Sequence, residues 1–183
     1  IIGGSDTVTA GVKTGGPLGL GTLTVASGLK LIGTGTTVYN AITTPSNNLV
    51  IGGVSSNNLT LNGAITFGAG TPTVTVESPA VVATLGSKLT GVTVLTKEGA
   101  GILALSNIAN DYNGITQVNN GTLRSGNTNS LSRFSNINLA TGGTLDINNT
   151  NVVTGSITGT GLVTNSSGAF ATLATGFDNS NFT

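Results

Sequence analysis

The chain has 183 residues, a formal net charge of zero, and charged side chains at only 7% of its positions. It contains no His, Cys, Met or Trp, which excludes disulfides, thiolate zinc sites, cysteine nucleophiles and the usual general base near neutral pH. Hydrophobic residues make up 37% of the chain, too many for a disordered protein. The abundance of Gly, Thr and Asn favours strands joined by many turns.

The N-terminal segment, IIGGSDTVTA, has neither the basic start nor the apolar run of a signal peptide. Its first residues look like the processed start of a chymotrypsin-like protease. That fold needs a histidine base, which this chain lacks. We therefore expect either a processed chain or a segment of a longer protein.

Short segments that alternate apolar and polar residues follow in chain order: GTLTVAS, NLTLNGAITF, TPTVTVES, GILALS, ITQVNNGTL and GGTLDIN. This alternation predicts strands with one buried face, and no long segment shows helical periodicity. The Asn-Gly pairs at Asn62-Gly63, Asn113-Gly114 and Asn120-Gly121 predict residues with positive φ. The segment from Thr71 to Pro79 carries two prolines, which predict a bulging loop because proline cannot donate to a strand ladder.

Apolar residues also recur along the chain with a period of roughly 20 residues, within the range of solenoid repeats. The anchors of this period are Leu23, Ile42, Leu61, Val82, Leu103, Leu123, Leu145 and Val163. A Gly-x-Leu or Gly-x-Val version begins at Gly21, Gly101, Gly121, Gly143 and Gly161.

Two architectures accommodate short strands at this period. One is a sandwich or barrel of antiparallel hairpins, and the other is a β-solenoid of stacked parallel coils. The solenoid explains why the repeats resemble one another, since each position lies beside the same position one coil later. We predict an all-β parallel β-helix (β-solenoid) of roughly nine coils of about 20 residues, forming a single domain over residues 1–183. We expect internal apolar ladders, together with hydrogen-bonded rows of stacked Asn or Thr.

The stretch LTKEGAGILALSNIANDYNGITQVNNGTLRSGN, from Leu95 to Asn127, closely resembles the autotransporter-associated β-strand repeat, also called the passenger-associated transport repeat. The matching positions are Leu95, Lys97, Gly99, Gly101, Leu103, Leu105, Asn110, Tyr112, Gly114, Thr116, Val118, Gly121 and Leu123. Residues 142–168 are similar to the coils that follow such repeats, and the closing ATLATGFDNSNFT looks like the start of a further coil.

The resemblance implies a right-handed parallel β-helix in an extracellular or cell-surface bacterial protein. Such repeats occur in the long passenger regions of type V secreted proteins and in other large extracellular proteins.

The sequence offers few candidates for chemistry. Its six carboxylates are Asp6, Glu77, Glu98, Asp111, Asp146 and Asp178. The repeat period places no two of them convincingly side by side, and Asp146 should point outward between Leu145 and Ile147. Lys97 and Glu98 are predicted to form a solvated pair at a coil corner. Tyr112 is expected to pack against a turn, while Tyr39 is a candidate surface contact.

We therefore predict no catalytic, cofactor-binding or metal-binding residue, no cofactor, and no enzymatic activity. Six scattered Lys and Arg residues argue against nucleic acid as a partner. No apolar stretch approaches the ~20 residues of a membrane-spanning helix.

Low charge and open-ended repeats favour a structural module that associates with itself, end to end or laterally, into a fibre, sheath or surface layer. Cell-surface glycans are the other partner class considered. One alternative is the passenger stalk of an autotransporter-type adhesin, and a second is a β-helix enzyme acting on polysaccharides.

Overall fold

The computed structural model describes residues 7–9, 12–54, 57–89 and 92–177. All the regular secondary structure of these residues is β-strand. The protease-like start at Ile1 and the carboxylates Asp6 and Asp178 lie outside these residues. The strands are β1 (Thr7–Thr9), β2 (Val12–Gly15), β3 (Leu23–Thr24), β4 (Lys30–Leu31), β5 (Thr36–Val38), β6 (Ile42–Thr44), β7 (Asn48–Ile51), β8 (Leu59–Leu61), β9 (Ile65–Phe67), β10 (Thr73–Val76), β11 (Val82–Leu85), β12 (Val94–Glu98), β13 (Ile102–Leu105), β14 (Ile115–Ser125), β15 (Ile137–Asp146), β16 (Val152–Val153), β17 (Ile157–Gly159), β18 (Leu162–Thr164) and β19 (Leu173–Ala174).

Two parallel stacks of strands form the body of the molecule. The first face stacks β4, β7, β10, β12, the start of β14, the start of β15, and β17. The second face stacks β5, β8, β11, β13, the end of β14, the end of β15, and β18. A third side carries the remaining connections, with the short stacks β3–β6–β9 and β16–β19.

This arrangement confirms the predicted parallel β-solenoid. It has about seven coils rather than nine. The antiparallel sandwich or barrel is wrong for this body, because the one antiparallel pair among the described strands is β1 with β2, ahead of the coils. Among the described residues, none lies in a helix long and apolar enough to cross a bilayer.

The predicted apolar ladder is confirmed in the C-terminal half of the second face. Leu103 pairs in register with Leu123, Leu123 with Leu145, and Leu145 with Val163. A ladder of this kind buries one apolar side chain per coil against its neighbours above and below, which gives the narrow solenoid a continuous core.

The four earlier anchors lie outside this ladder. Leu23 and Ile42 pair with each other on the third side, where Ile42 pairs next with Ile65 and not with Leu61. The other two, Leu61 and Val82, do not pair with each other. Leu61 pairs with Leu85, and Val82 pairs with Ile102. The ladder that reaches Leu103 instead runs through Leu59 and Ala83. The coil between these two residues is longer than the later coils, so counting at a fixed step moves the anchors out of register.

The three Asn-Gly pairs have two different roles. Gly121 has φ of 66°, as predicted. Gly63 and Gly114 do not have positive φ. Glycine is required at these two positions because the backbone of the preceding coil passes too close for a side chain. A Cβ on Gly63 would lie 1.8 Å from the carbonyl oxygen of Asn40, and one on Gly114 would lie 1.1 Å from that of Thr93.

The loop predicted between Thr71 and Pro79 is wrong. β10 is a regular member of the first face, and Val74 and Val76 are fully buried. The prolines flank this strand, at Pro72 and Pro79. Their missing backbone N–H groups therefore leave the hydrogen bonds within the strand intact. The Pro72 carbonyl accepts a hydrogen bond of 2.8 Å from the backbone N–H of Thr96 in the next coil.

Candidate functional site

Lys97 lies inside the solenoid, not at a solvated corner as predicted. It pairs in register with Val74 in the preceding coil and Val118 in the following one, and it has no solvent-exposed surface. Its ammonium donates to three backbone carbonyls, those of Glu98 at 2.7 Å, Gly99 at 2.6 Å and Asn120 at 3.0 Å. The aliphatic stem fills a ladder position while the nitrogen joins two successive turns.

Burial sets the acid–base behaviour of this lysine. Removal from water disfavours the charged ammonium and lowers the pKa of Lys97 from 10.5 to about 8, while the charge of Glu98 acts in the opposite direction. Glu98 itself stays partly exposed and accepts a hydrogen bond from the side-chain amide of Asn119 in the next coil.

Asparagine side chains bridge the coils on the third side. Asn110 is buried; its carbonyl oxygen accepts from the N–H of Leu89 at 2.9 Å, and its amide donates to the carbonyl of Ser130 at 2.8 Å. One side chain therefore ties three successive coils together.

The predicted polar rows take two forms. On the outer surface of the first face, Gln117 donates to Asn138 at 3.3 Å, and Asn138 donates to Thr158 at 3.2 Å. Other asparagines bond to backbone: Asn107 donates to the carbonyl of Gly86 at 3.0 Å, and Asn127 donates to that of Ser106 at 2.8 Å.

Tyr112, which we expected to pack against a turn, is buried in the core, and its hydroxyl lies 3.3 Å from the side-chain oxygen of Thr116. Burial raises the pKa of Tyr112, and hydrogen bonds from Thr116 and from the backbone of Ser132 oppose the rise. Tyr39 is half-buried.

Asp146, which we predicted to point outward, is only 1% exposed because the adjacent coils cover it. It accepts hydrogen bonds from Arg124 Nε at 2.8 Å and from the hydroxyl of Ser166 at 2.7 Å. The N–H groups of Asn148 and Ser166 also donate to it, each at 3.0 Å. Burial alone would raise the pKa of Asp146, but these hydrogen bonds outweigh burial and hold the pKa below its ordinary value.

The remaining described carboxylates each have a different partner. Glu77 pairs with Lys30 at 2.9 Å, and Asp111 pairs with Lys88 at 2.8 Å. In the part of the chain that the structure describes, no three His, Cys, Asp or Glu side chains are grouped as metal ligands would be.

A groove of about 360 Å³ opens on the third side and was not predicted from the sequence. We call it the aromatic groove. It is lined by Ile108, Ala109, Asn110, Asp111, Asn129, Leu131, Arg133, Phe134, Val153 and Phe177. The rings of Phe134 and Phe177 meet edge to face, with 6.1 Å between their centroids and 70° between their planes. Both rings remain exposed, at 39% and 52%.

Arg133 joins the two rings of the aromatic groove. Its Cζ lies 4.7 Å from the centroid of Phe134 and 5.0 Å from that of Phe177, within the range of cation–π attraction. The one available sequence signal was the adjacent Arg-Phe pair in SRFS, in a chain whose aromatic residues make up only 4%. Its partner Phe177 is remote in sequence and comes into contact only through the stacking of coils.

Comparison with known proteins supports the repeat read from the sequence. The family model described as the passenger-associated-transport-repeat matches residues 95–124. This range contains the buried Lys97, the bridging Asn110 and the close-approach Gly114. Neither the curated proteins nor the solved structures give a match to this chain.

Proposed function

We propose that this chain, which carries a passenger-associated transport repeat at residues 95–124, is a stiff structural module of an extracellular or cell-surface bacterial protein. The observation that carries the proposal is the unbroken parallel stack of coils in which that repeat is embedded. The repeat and the solenoid together fit the passenger region of an autotransporter.

Stiffness follows from the way the coils are joined. Inner coils hydrogen-bond to a coil on each side, and buried apolar ladders run through the same coils. Lys97, Asn110 and Asp146 add polar links between coils within the core or against it. A coil cannot tilt without breaking ladder bonds and these links together, so the module resists bending and local opening.

Surface location is tested with the complete gene product in its own cells. An epitope tag in the exposed turn at Pro79–Ala80 should be accessible to antibody on intact cells, and added protease should remove the tag from them. A cytoplasmic marker should survive the same treatment. A tag that becomes accessible only after lysis contradicts the proposal.

Self-association is the finer part of the proposal. In the described structure β18 pairs with β15 alone. Val163 extends the buried ladder of Leu123 and Leu145 but is 40% exposed, and its neighbour Leu162 is 59% exposed. The net charge of zero provides little repulsion between copies. A coil edge from a second copy would complete both the ladder and the backbone pairing.

Light scattering tests this association. The purified chain should form species larger than a monomer as its concentration rises, and Leu162→Lys, which places a charge on the edge strand, should reduce their size. A chain that stays monomeric at high concentration, with its β circular dichroism intact, would rule out association through this edge. The passenger-stalk alternative shares the same module, and the full gene distinguishes it by the length and further domains of the precursor.

A further inference from the structure

We propose that the aromatic groove binds an anionic polysaccharide, with Arg133 taking a sugar carboxylate and the rings of Phe134 and Phe177 taking apolar faces of the sugar units. This inference goes beyond the structural function proposed above. It is carried by a different part of the molecule, the third side of the later coils.

The groove presents apolar surface that stays exposed in the described structure. Phe134 and Phe177 leave 39% and 52% of their surface exposed, and Ile108 beside them leaves 70%. Aromatic rings that line a concave site beside a few polar groups are the usual construction of a binding pocket for a small ligand.

Among the described residues, the charge of the groove is positive and uncompensated. Asp111, at the rim, is neutralised by Lys88 at 2.8 Å. Arg133 makes no ion pair or hydrogen bond with any of the described residues, and its guanidinium is held against the two rings. Contact with ring faces leaves the edge N–H donors of a guanidinium free, and their fork geometry matches a carboxylate.

The shape of the groove favours a polysaccharide over an acidic peptide. Its lining comes from four successive coils, represented by Ile108, Asn129, Val153 and Phe177, which stack at a spacing of ~4.8 Å. An extended polymer can therefore run along the stack. Peptides commonly bind by adding a strand to a sheet edge, but Ile108, Asn129 and Phe177 lie in turns. Val153 lies in the two-residue strand β16, which already pairs with β19. The exposed amide of Asn129 can both donate to and accept from hydroxyl groups.

Titration calorimetry of the intact chain with polygalacturonate, dextran and polyglutamate tests the proposal. Polygalacturonate should bind, dextran should not, and polyglutamate should bind at least about tenfold more weakly than polygalacturonate, because it supplies charge without sugar faces. Arg133→Gln should weaken polygalacturonate binding by about tenfold or more. Phe134→Ala should weaken it as well, and it provides an independent test if Arg133→Gln does not fold.

Lys30→Gln is the matched control. It also removes one positive charge, but from an exposed ion pair with Glu77 in the early coils, so it should leave binding unchanged. Equal weakening by Lys30→Gln and Arg133→Gln, or equal binding of polygalacturonate and polyglutamate, would overturn the proposal. So would the absence of any binding. None of these results would affect the structural function, which depends on the buried ladders.

Discussion

Replacing Lys97 with methionine should abolish the gain in stability that we expect of the wild-type chain as the pH rises from about 8 to 10.5. Below this window Lys97 is protonated in both the folded and the unfolded chain. Within it the unfolded chain binds more protons than the folded chain, so the free energy of unfolding rises with pH. At about 1.36 kcal/mol per pKa unit, a pKa lowered from 10.5 to about 8 corresponds to a gain of about 3 kcal/mol.

The change in the free energy of unfolding with pH is a sharper test than its value at neutral pH. Methionine leaves three carbonyls without the Lys97 donor, and an unsatisfied buried acceptor costs about 1–3 kcal/mol. The same substitution removes the cost of burying an ammonium. These effects oppose each other at pH 7, whereas above pH 8 only the wild type can gain by releasing the proton.

Urea unfolding followed by circular dichroism at pH 7, 8.5 and 10 measures the effect. Comparing the two chains at each pH cancels the contribution of Tyr112, whose raised pKa makes stability fall above its ordinary pKa of about 10. Lys88→Met is the control, because Lys88 is exposed in its pair with Asp111, and it should keep the wild-type slope. If the free energy of unfolding changed with pH in the same way for the wild type and Lys97→Met, the Lys97 ammonium would be solvated and not buried.

The repeat explains both what could be predicted and what could not. Alternating segments with recurrent Gly-x-Leu indicate a parallel solenoid, because stacked coils place like residues together. The count of nine coils treated the whole chain as coils, whereas β1 and β2 form an antiparallel pair ahead of them. The early anchors missed the ladder because Leu23 and Ile42 lie on the third side and because the coil from Leu59 to Ala83 is longer than those that follow. A period carries no information about local insertions, so register has to come from pairing.

Lys97 shows a second limit of sequence reasoning. Its residue type indicates a solvated side chain, yet its position continues the inward ladder of Val74 and Val118. The alternation of Leu95 with Lys97 was the available signal, since residues two apart on a strand share a face. The burial of Asp146 was not foreseen for a related reason: its cover comes from Arg124 and Ser166, each in a different coil.

Replacing Gly114 with alanine should be among the most damaging single changes in this chain. The added Cβ would lie 1.1 Å from the carbonyl oxygen of Thr93, a backbone atom that no rotamer change can move. The two coils would have to separate there, although Val94 and Ile115 pair immediately beyond the contact. The Gly114 carbonyl also accepts a hydrogen bond of 2.7 Å from Ser135 in the next coil. We expect a loss of about 4 kcal/mol or more in the free energy of unfolding.

Gly21→Ala is the matched control for this substitution. A Cβ at Gly21 has no atom within 4 Å, and its φ is not positive. Alanine there should change the free energy of unfolding by less than about 1 kcal/mol, in the stabilising direction, because it restricts the unfolded chain. If Gly114→Ala and Gly21→Ala had the same free energy of unfolding, then Thr93 and Gly114 would not be stacked in adjacent coils. The register that places Lys97 in the interior would fail with them, since both follow from the pairing of β12 with β14.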